Sequence, residues 1–261
     1  MKENKIHVVF IIDESSSMYG SESDIIGGFN KTIDEQKAVE NGECIVSYFK
    51  FSDNVTEVFL GKDVNEVKPL KKNDSYSSVW GSINTVSISS SGYYHFNEIQ
   101  FDNDSTYVYS PNGCTAMNDG IGTAIDKVGK WLADMPEEER PSKNLIIIMT
   151  DGEENVSKKY TLKQVQEMIK HQTEKYNWTF VYMGMDITSK DTADNLGIKT
   201  RSFSSKTYED TYKNYSNVSA SLTAYRVAND GCAVNAMMDV LASSLQEMTD
   251  TYEKKLNIKI E

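Results

Sequence analysis

Short apolar runs recur along the chain and predict the strands of a buried sheet. Ile6–Ile12, Asn144–Met149 and Trp178–Met183 are almost continuously apolar, a pattern typical of strands covered on both faces of a parallel sheet. Cys44–Phe51 instead alternates apolar and other residues, and Val55–Leu60 follows it after a short polar turn. These two segments predict a β-hairpin beside the buried strands.

Segments with apolar residues at helical spacing lie between and after the strands. The predicted helices cover about 24–39, part of 113–134, the region around 162–169, 191–196, and about 207–226 and 233–255. A last short strand is predicted at Thr200–Ser204. Because strands alternate with helices, we expect an α/β fold: a three-layer sandwich whose doubly wound sheet is mostly parallel and has one antiparallel edge strand. Such sheets bind ligands beyond the carboxyl ends of their strands.

Residues 71–111 interrupt this alternation with a polar stretch that also contains aromatic residues. Apolar residues alternate within it at two places, Val86/Ile88 and Ile99/Phe101. The composition predicts an inserted polar hairpin or long loop, and the aromatic residues argue against full disorder. We therefore predict one domain over residues 1–226 that carries this insertion, with a helical extension over 227–261 packing on the same domain.

Composition narrows the functional class. The 261 residues carry a formal net charge of −12, which argues against a generic nucleic-acid binder because such proteins need a basic surface. The first apolar run is too short for a secretory signal, and no apolar stretch approaches the roughly 20 residues that span a bilayer. The three cysteines, Cys44, Cys114 and Cys232, are far apart, as in proteins with reduced thiols. We expect a cytoplasmic protein that binds neither nucleic acid nor membrane.

Three polar segments lie at predicted strand ends or before a predicted helix, where sheets of this kind bind ligands. Asp13, Ser15 and Ser17 are alternate residues directly after the first strand, so a turn can present one carboxylate and two hydroxyls toward one point. Thr115 lies in a turn before a predicted helix, and Asp151 follows a predicted buried strand. The two aspartates are therefore expected at the same edge of the sheet. The first segment, taken alone, is equally compatible with an ordinary helix-capping loop.

The three segments together resemble the metal-ion-dependent adhesion site of the von Willebrand factor A domain. That family has Asp-x-Ser-x-Ser after its first strand, Gly-x-Thr before a middle helix and Thr-Asp-Gly after a later strand. The resemblance covers about residues 4–204, and over Gly113–Gly122 it extends to bacterial and phage members in particular. Those members often carry Leu-Tyr-Asp-Ala where this chain has Met117–Gly120. The insertion and the C-terminal helical extension have no counterpart in the family.

The resemblance implies a divalent-metal site formed by five residues, Asp13, Ser15, Ser17, Thr115 and Asp151. It implies that the two serines bind the ion directly, that the threonine binds directly or through water, and that the aspartates often bind through water. Hydroxyl and carboxylate oxygens are hard ligands, which favour Mg²⁺, with Mn²⁺ or Ca²⁺ as alternatives, over zinc. An open coordination position would accept an Asp or Glu of a protein partner. The resemblance thus implies a cation-dependent, non-catalytic protein-binding module.

Two other functions stay open. A structural or assembly component of bacterial or phage origin would keep the fold with a vestigial metal site, and a metal-dependent hydrolase would use the ion to activate water. Ser15 stands where a haloacid dehalogenase-type phosphotransferase needs a second acid. Neither a Gly-x-Ser-x-Gly elbow nor a P-loop occurs in the sequence, and the three histidines are scattered without zinc spacing. The known enzyme signatures therefore do not support a catalytic site.

Overall fold

A six-stranded sheet forms the centre of the protein. The computed structural model describes residues 2–40, 42–73, 86–88, 94–96, 105–151, 154–184, 189–198, 200–203, 219–226 and 228. The strands are β1 (Lys2–Asp13), β2 (Glu43–Phe51), β3 (Val55–Asp63), β4 (Lys71–Lys72), β5 (Val86–Ile88), β6 (Tyr94–Phe96), β7 (Val108–Tyr109), β8 (Pro141–Thr150), β9 (Thr179–Gly184) and β10 (Thr200–Phe203). The central sheet has the order β10–β9–β8–β1–β2–β3, and every neighbouring pair is parallel except β2 and β3. The predicted mostly parallel sheet with one antiparallel edge strand is confirmed.

Helices cover both faces of this sheet. They are α1 (Glu22–Lys37), α2 (Met117–Asp134), α3 (Leu162–Tyr176), α4 (Ser189–Asn195) and α5 at 219–226. Side chains alternate between the two faces of a strand, so Phe10 and Ile12 of β1 pack in a core with α1 and α5. Val9 and Ile11 face the other core, which contains residues of α2, α3 and α4. The three predicted layers are therefore present.

The register of the parallel strands brings two of the predicted metal residues to one edge of the sheet. Asp13 pairs with Phe51 at the end of β2, and Ile12 pairs with Met149 of β8. The next residue of β8 is thus level with Asp13, and Asp151 follows directly after it. Both aspartates lie at the carboxyl ends of neighbouring strands, where ligands of doubly wound sheets bind.

The inserted segment is joined to the domain through its two ends. β4 pairs in parallel with β7, and β5 pairs with β6 as a small antiparallel hairpin. Tyr107 and Tyr109, near the end of the insertion, are buried in the core that contains α1. Ile99, Phe101 and the helix predicted at 233–255 lie outside the described residues. The helices that the structure describes include none with the length and apolar character needed to cross a membrane.

Candidate metal site

Asp13 is the last residue of β1 and is completely buried. Its Oδ1 accepts a hydrogen bond from the Ser15 amide at 2.7 Å, and its Oδ2 accepts one from the Thr150 hydroxyl at 2.5 Å. Its backbone carbonyl accepts a hydrogen bond from the Tyr109 hydroxyl at 2.7 Å. A carboxylate has about four lone-pair positions. Asp13 is therefore fixed in place, and it could still coordinate a metal ion directly through a free lone pair or through a water molecule.

The two serines that follow β1 bring their hydroxyls together. Ser15 is buried and Ser17 is exposed, and their Oγ atoms lie 2.9 Å apart. Neighbouring ligands of an octahedron are separated by √2 times the metal–oxygen distance, so Mg–O bonds of about 2.0–2.1 Å place them about 2.9 Å apart. The 2.9 Å contact is a hydrogen bond between the two hydroxyls, and the same separation suits two adjacent Mg²⁺ ligands.

The loop that carries Thr115 is fastened to the loop after β1 by backbone hydrogen bonds. The amide of Ser16 donates to the carbonyl of Gly113 at 2.9 Å, and the amide of Asn112 donates to the carbonyl of Glu14 at 2.7 Å. Thr115 is buried and stands two residues before α2. The structure therefore brings the Thr115 loop against the serine loop, as the predicted site requires.

Gly113 allows the Thr115 loop to pack closely against Asp53, in the turn between β2 and β3. Its φ is +82°, and a Cβ at this position would lie 2.2 Å from Oδ2 of Asp53. A left-handed conformation with so little space suits only glycine. The same Asp53 side chain accepts a hydrogen bond from the amide of Cys114 at 3.3 Å. The backbone conformation and the space at position 113 thus explain why glycine stands there.

Asp151 completes the set of five predicted residues. Both of its carboxylate oxygens are buried. Burial raises the pKa of Asp13 above its usual range, and the nearby charge of Asp151 raises it further, whereas the hydrogen bonds from Ser15 and Thr150 lower it. Burial and the charge of Asp151 raise the pKa because two carboxylates held close together away from water disfavour a second negative charge. A divalent cation beside them would reverse that preference.

The donor set fits a hard divalent cation. In the part of the chain that the structure describes, no group of three or more His, Cys, Asp or Glu side chains could hold a metal ion. A site here must therefore use hydroxyl oxygens together with the two carboxylates. Hydroxyls, carboxylates and waters are ligands of Mg²⁺, Mn²⁺ and Ca²⁺ rather than of zinc. When bound, such an ion would supply an electrophilic position at the surface beside Ser17.

Sequence patterns did not reveal several residues that hold the site in place. Glu14 forms an ion pair with Lys50 at 3.0 Å, and its Oε1 accepts the amide of Ser110 at 2.6 Å. Tyr109 binds the backbone of Asp13 from 96 positions away, and Asn155 binds the backbone of Thr115 from 40 positions away. Contacts over such separations leave no periodic signal in a sequence. The register of the strands alone does not predict these contacts either.

The start of α2 is packed between β2 and the loop after β8. Gly120 lies close to β2, because a Cβ here would lie 2.8 Å from the ring of Phe51. The carboxylate of Asp119 accepts the amides of Lys158, Lys159 and Tyr160 at 2.8–2.9 Å. Asp119 thus holds the loop after β8 rather than facing the serine hydroxyls.

The described histidine side chains lie away from the candidate site. His7 is completely buried in β1, six residues and about 20 Å along the strand from Asp13. Its Nε2 lies 2.7 Å from Oγ of Ser47, and burial lowers its pKa to about 3. His171 belongs to α3, where its ring packs against Tyr176. Neither is positioned as a base for chemistry at the edge that holds the aspartates.

Comparison with solved structures identifies the fold of this chain, whereas comparison of sequences does not. No protein family model matches the sequence, and no curated protein sequence matches it significantly. The vWF domain of the type V pili tip protein Mfa5 from Porphyromonas gingivalis superposes with a TM-score of 0.52 and 10% identity, covering 86% of this chain and 97% of that domain. The chain has the von Willebrand factor A fold.

Two further solved structures show how much of a longer protein the chain matches. A point mutant of the PilB minor pilin from Streptococcus sanguinis gives a TM-score of 0.52 at 11% identity, covering 88% of this chain and 62% of the pilin. Proximal thread matrix protein 1 from the mussel byssus gives 0.48 at 15% identity, covering 82% of this chain and 45% of that chain. The chain therefore spans about half to two thirds of these proteins. Identities this low establish the von Willebrand factor A fold alone.

Proposed function

We propose that this chain is a divalent-cation-dependent protein-binding module in which Mg²⁺ recruits an acidic side chain of a partner. The observation that carries the proposal is the pair of hydrogen-bonded serine hydroxyls, 2.9 Å apart, at the sheet edge that also holds Asp13 and the buried carboxylate oxygens of Asp151. That spacing matches adjacent ligands of an Mg²⁺ octahedron. Ser15, Ser17 and Thr115 would supply hydroxyl oxygens, and Asp13 and Asp151 would balance the charge of the ion directly or through water.

The partner's carboxylate follows from the coordination chemistry. Mg²⁺ prefers hard oxygen ligands and keeps positions filled by water that an anionic oxygen can replace. The chain carries a net charge of −12, so an acidic partner is repelled at long range and only a local divalent charge attracts it at contact. Partner capture should therefore depend strictly on the cation. We place no catalytic residue at this site, and we propose a cytoplasmic location for the protein.

The inserted segment is proposed as a second contact for the partner. Its last residues reach the metal edge, because Tyr109 binds the backbone of Asp13 and Ser110 binds Glu14. The insertion therefore ends beside the serine loop, and β4 at its start pairs with β7 at its end. Deletion of about 75–105 should leave Mg²⁺ binding intact and reduce partner capture.

The central experiment combines metal titration with partner capture. Calorimetric titration of the wild-type protein should show one Mg²⁺ site, and bound Mg²⁺ should raise the melting temperature because it stabilises only the folded state. Thr115→Ala and Ser17→Ala should weaken both responses by removing hydroxyl ligands. Partners captured from a lysate of the native source should be released by EDTA and recaptured with Mg²⁺. Replacing the partner's contacting Asp or Glu by the amide should abolish capture.

Other outcomes would favour the alternatives. Capture that survives EDTA and both hydroxyl variants would support an assembly component with a vestigial metal site, a role consistent with pilus proteins among the matched structures. Turnover of phosphoesters in Mg²⁺, lost in Asp13→Ala, would support a metal-dependent hydrolase instead.

A further inference from the structure

We propose that Asn155 is a positioning residue for the metal site, which it serves by fixing the backbone of Thr115; this inference rests on the proposed Mg²⁺ function. Oδ1 of Asn155 accepts a hydrogen bond from the amide of Thr115 at 3.0 Å. The amide of Asn155 donates to the carbonyl of Thr115 at 3.1 Å. Both backbone polar groups of Thr115 are therefore held by one residue from the loop that follows Asp151.

The helix after Thr115 needs this support because it lacks a local cap. The N-cap of α2 is Ala116, whose side chain makes no capping hydrogen bond. The first amides of a helix have no partner within the helix and must be satisfied from elsewhere. Here the amide of Asn118 donates to Glu154 at 2.7 Å, and the amide of Asp119 donates to Ser157 at 3.0 Å. The loop after Asp151 thus supplies the cap that the sequence around Thr115 does not provide.

The same loop is held in return by α2. The carboxylate of Asp119 accepts the amides of residues 158–160 at 2.8–2.9 Å, and Glu154 accepts the amides of Val156 and Ser157. The Thr115 loop and the Asp151 loop are therefore tied by reciprocal hydrogen bonds. Asn155 is the member of this network that touches a predicted ligand residue itself.

Precise placement of Thr115 matters because Mg²⁺ tolerates little distortion. The ion requires near-ideal octahedral geometry at about 2.0–2.1 Å, so a small displacement of one hydroxyl weakens binding. Residues that orient metal ligands typically change metal affinity 10–100-fold when they are replaced. Loss of the Asn155 side chain should release the Thr115 N–H, while the Asn155 backbone N–H and all five ligand side chains remain in the protein.

The test compares three variants at one loop. Asn155→Ala should weaken Mg²⁺ affinity about tenfold in calorimetric titration. Asn155→Asp keeps an oxygen that can accept the Thr115 amide, so its affinity should equal or exceed that of wild type. Ser157→Ala is the matched control, because it removes hydrogen bonds to Glu154 and Asp119 in the same loop without touching Thr115. It should lower thermal stability and leave Mg²⁺ affinity within about twofold.

A second measurement separates this inference from the proposed function. Hydrogen exchange on metal-free protein should show faster exchange of the Thr115 amide in Asn155→Ala than in wild type or Asn155→Asp. Wild type that binds no Mg²⁺ would overturn the metal site and the positioning role with it. Wild type that binds Mg²⁺, with unchanged affinity in Asn155→Ala or equal losses in Asn155→Ala and Ser157→Ala, would overturn the positioning role alone.

Discussion

At the amino ends of the strands, the buried cations Lys143 and Arg226 are surrounded by backbone carbonyls. Lys143 donates to the carbonyls of Tyr225 and Arg226 at 3.1 and 3.3 Å, near the end of α5. Arg226 donates to the carbonyls of Gln36 and Gly42, both at 2.7 Å, around the end of α1. Carbonyls at a helix C-terminus carry partial negative charge. These buried charges are therefore matched within the protein itself.

At the carboxyl ends of the strands, the buried charges are of one sign. Asp13 and Asp151 lie close enough for one to raise the pKa of the other, and the nearby cation of Lys50 is paired with Glu14. Burial of like charges costs free energy unless an opposite charge compensates them. The contrast teaches that buried charge at the amino ends of the strands is compensated by the protein itself, whereas the like charges at the carboxyl ends leave the proposed role for a cation from solution.

The largest effect is expected at the amino end. Arg226→Met keeps the apolar stem but leaves the buried carbonyl of Gln36, and the carbonyl of Gly42 beyond α1, without their donor. Unsatisfied buried acceptors and the lost charged hydrogen bonds should lower the free energy of unfolding by about 3 kcal/mol. Denaturant unfolding measures this loss, and the stabilisation by Mg²⁺ should persist. A loss below about 1 kcal/mol, or a vanished Mg²⁺ response, would contradict the division between the two ends.

Asp13→Asn, at the carboxyl ends of the strands, should keep the stability of the metal-free protein and lose the response to Mg²⁺. The amide keeps an oxygen for the Ser15 N–H but removes one of the two neighbouring charges, so metal-free stability should stay equal or rise. Saturating Mg²⁺ at about 100 times its dissociation constant should add about 2.7 kcal/mol to wild type and almost nothing to the variant. Melting curves with and without Mg²⁺ decide the matter. Metal-free protein that is strongly destabilised would show that Asp13 is mainly structural.

His7 provides a pH-dependent test of the amino end, because it is buried as the neutral ring. Ser47 accepts the amide of Gly61 at 2.8 Å and can donate its own proton to His7 Nε2. The pKa of His7 is lowered from 6.5 to about 3 in the folded protein, chiefly by burial. Between those values the unfolded chain binds a proton that the folded chain does not, so stability falls as pH falls below about 6.5.

The expected slope from His7 is up to about 1.4 kcal/mol per pH unit. His7→Gln should remove this component, whatever its effect on stability at neutral pH. The measurement is the free energy of unfolding of both proteins at several pH values from 7 to 4. Parallel curves for the two proteins would show that His7 is not the titrating group.

The fold and the candidate site differ in how far sequence could predict them. The apolar runs and the helical spacing predicted the sheet, because burial on one or two faces leaves a short-range period. The positions of Asp13 and Asp151 followed from strand ends. The roles of Tyr109, Asn155 and Arg226 did not, since each side chain binds a backbone group in another part of the chain. A backbone acceptor has no sequence identity, so these contacts leave no motif.

The smallest effect is expected at Tyr19, which tests whether the carboxyl end is a binding surface. Tyr19 lies two residues beyond Ser17 and is 65% exposed. Tyrosine is enriched among the few interface residues whose loss costs about 2 kcal/mol or more of binding free energy. Tyr19→Ser should weaken partner capture about tenfold, while Mg²⁺ affinity stays unchanged and stability shifts by less than about 0.5 kcal/mol. Tyr176→Ser is the matched control, because Tyr176 is 51% exposed at the end of α3, beside the amino ends of the strands. Equal effects of the two substitutions on capture would show that the partner does not recognise the surface around the metal site.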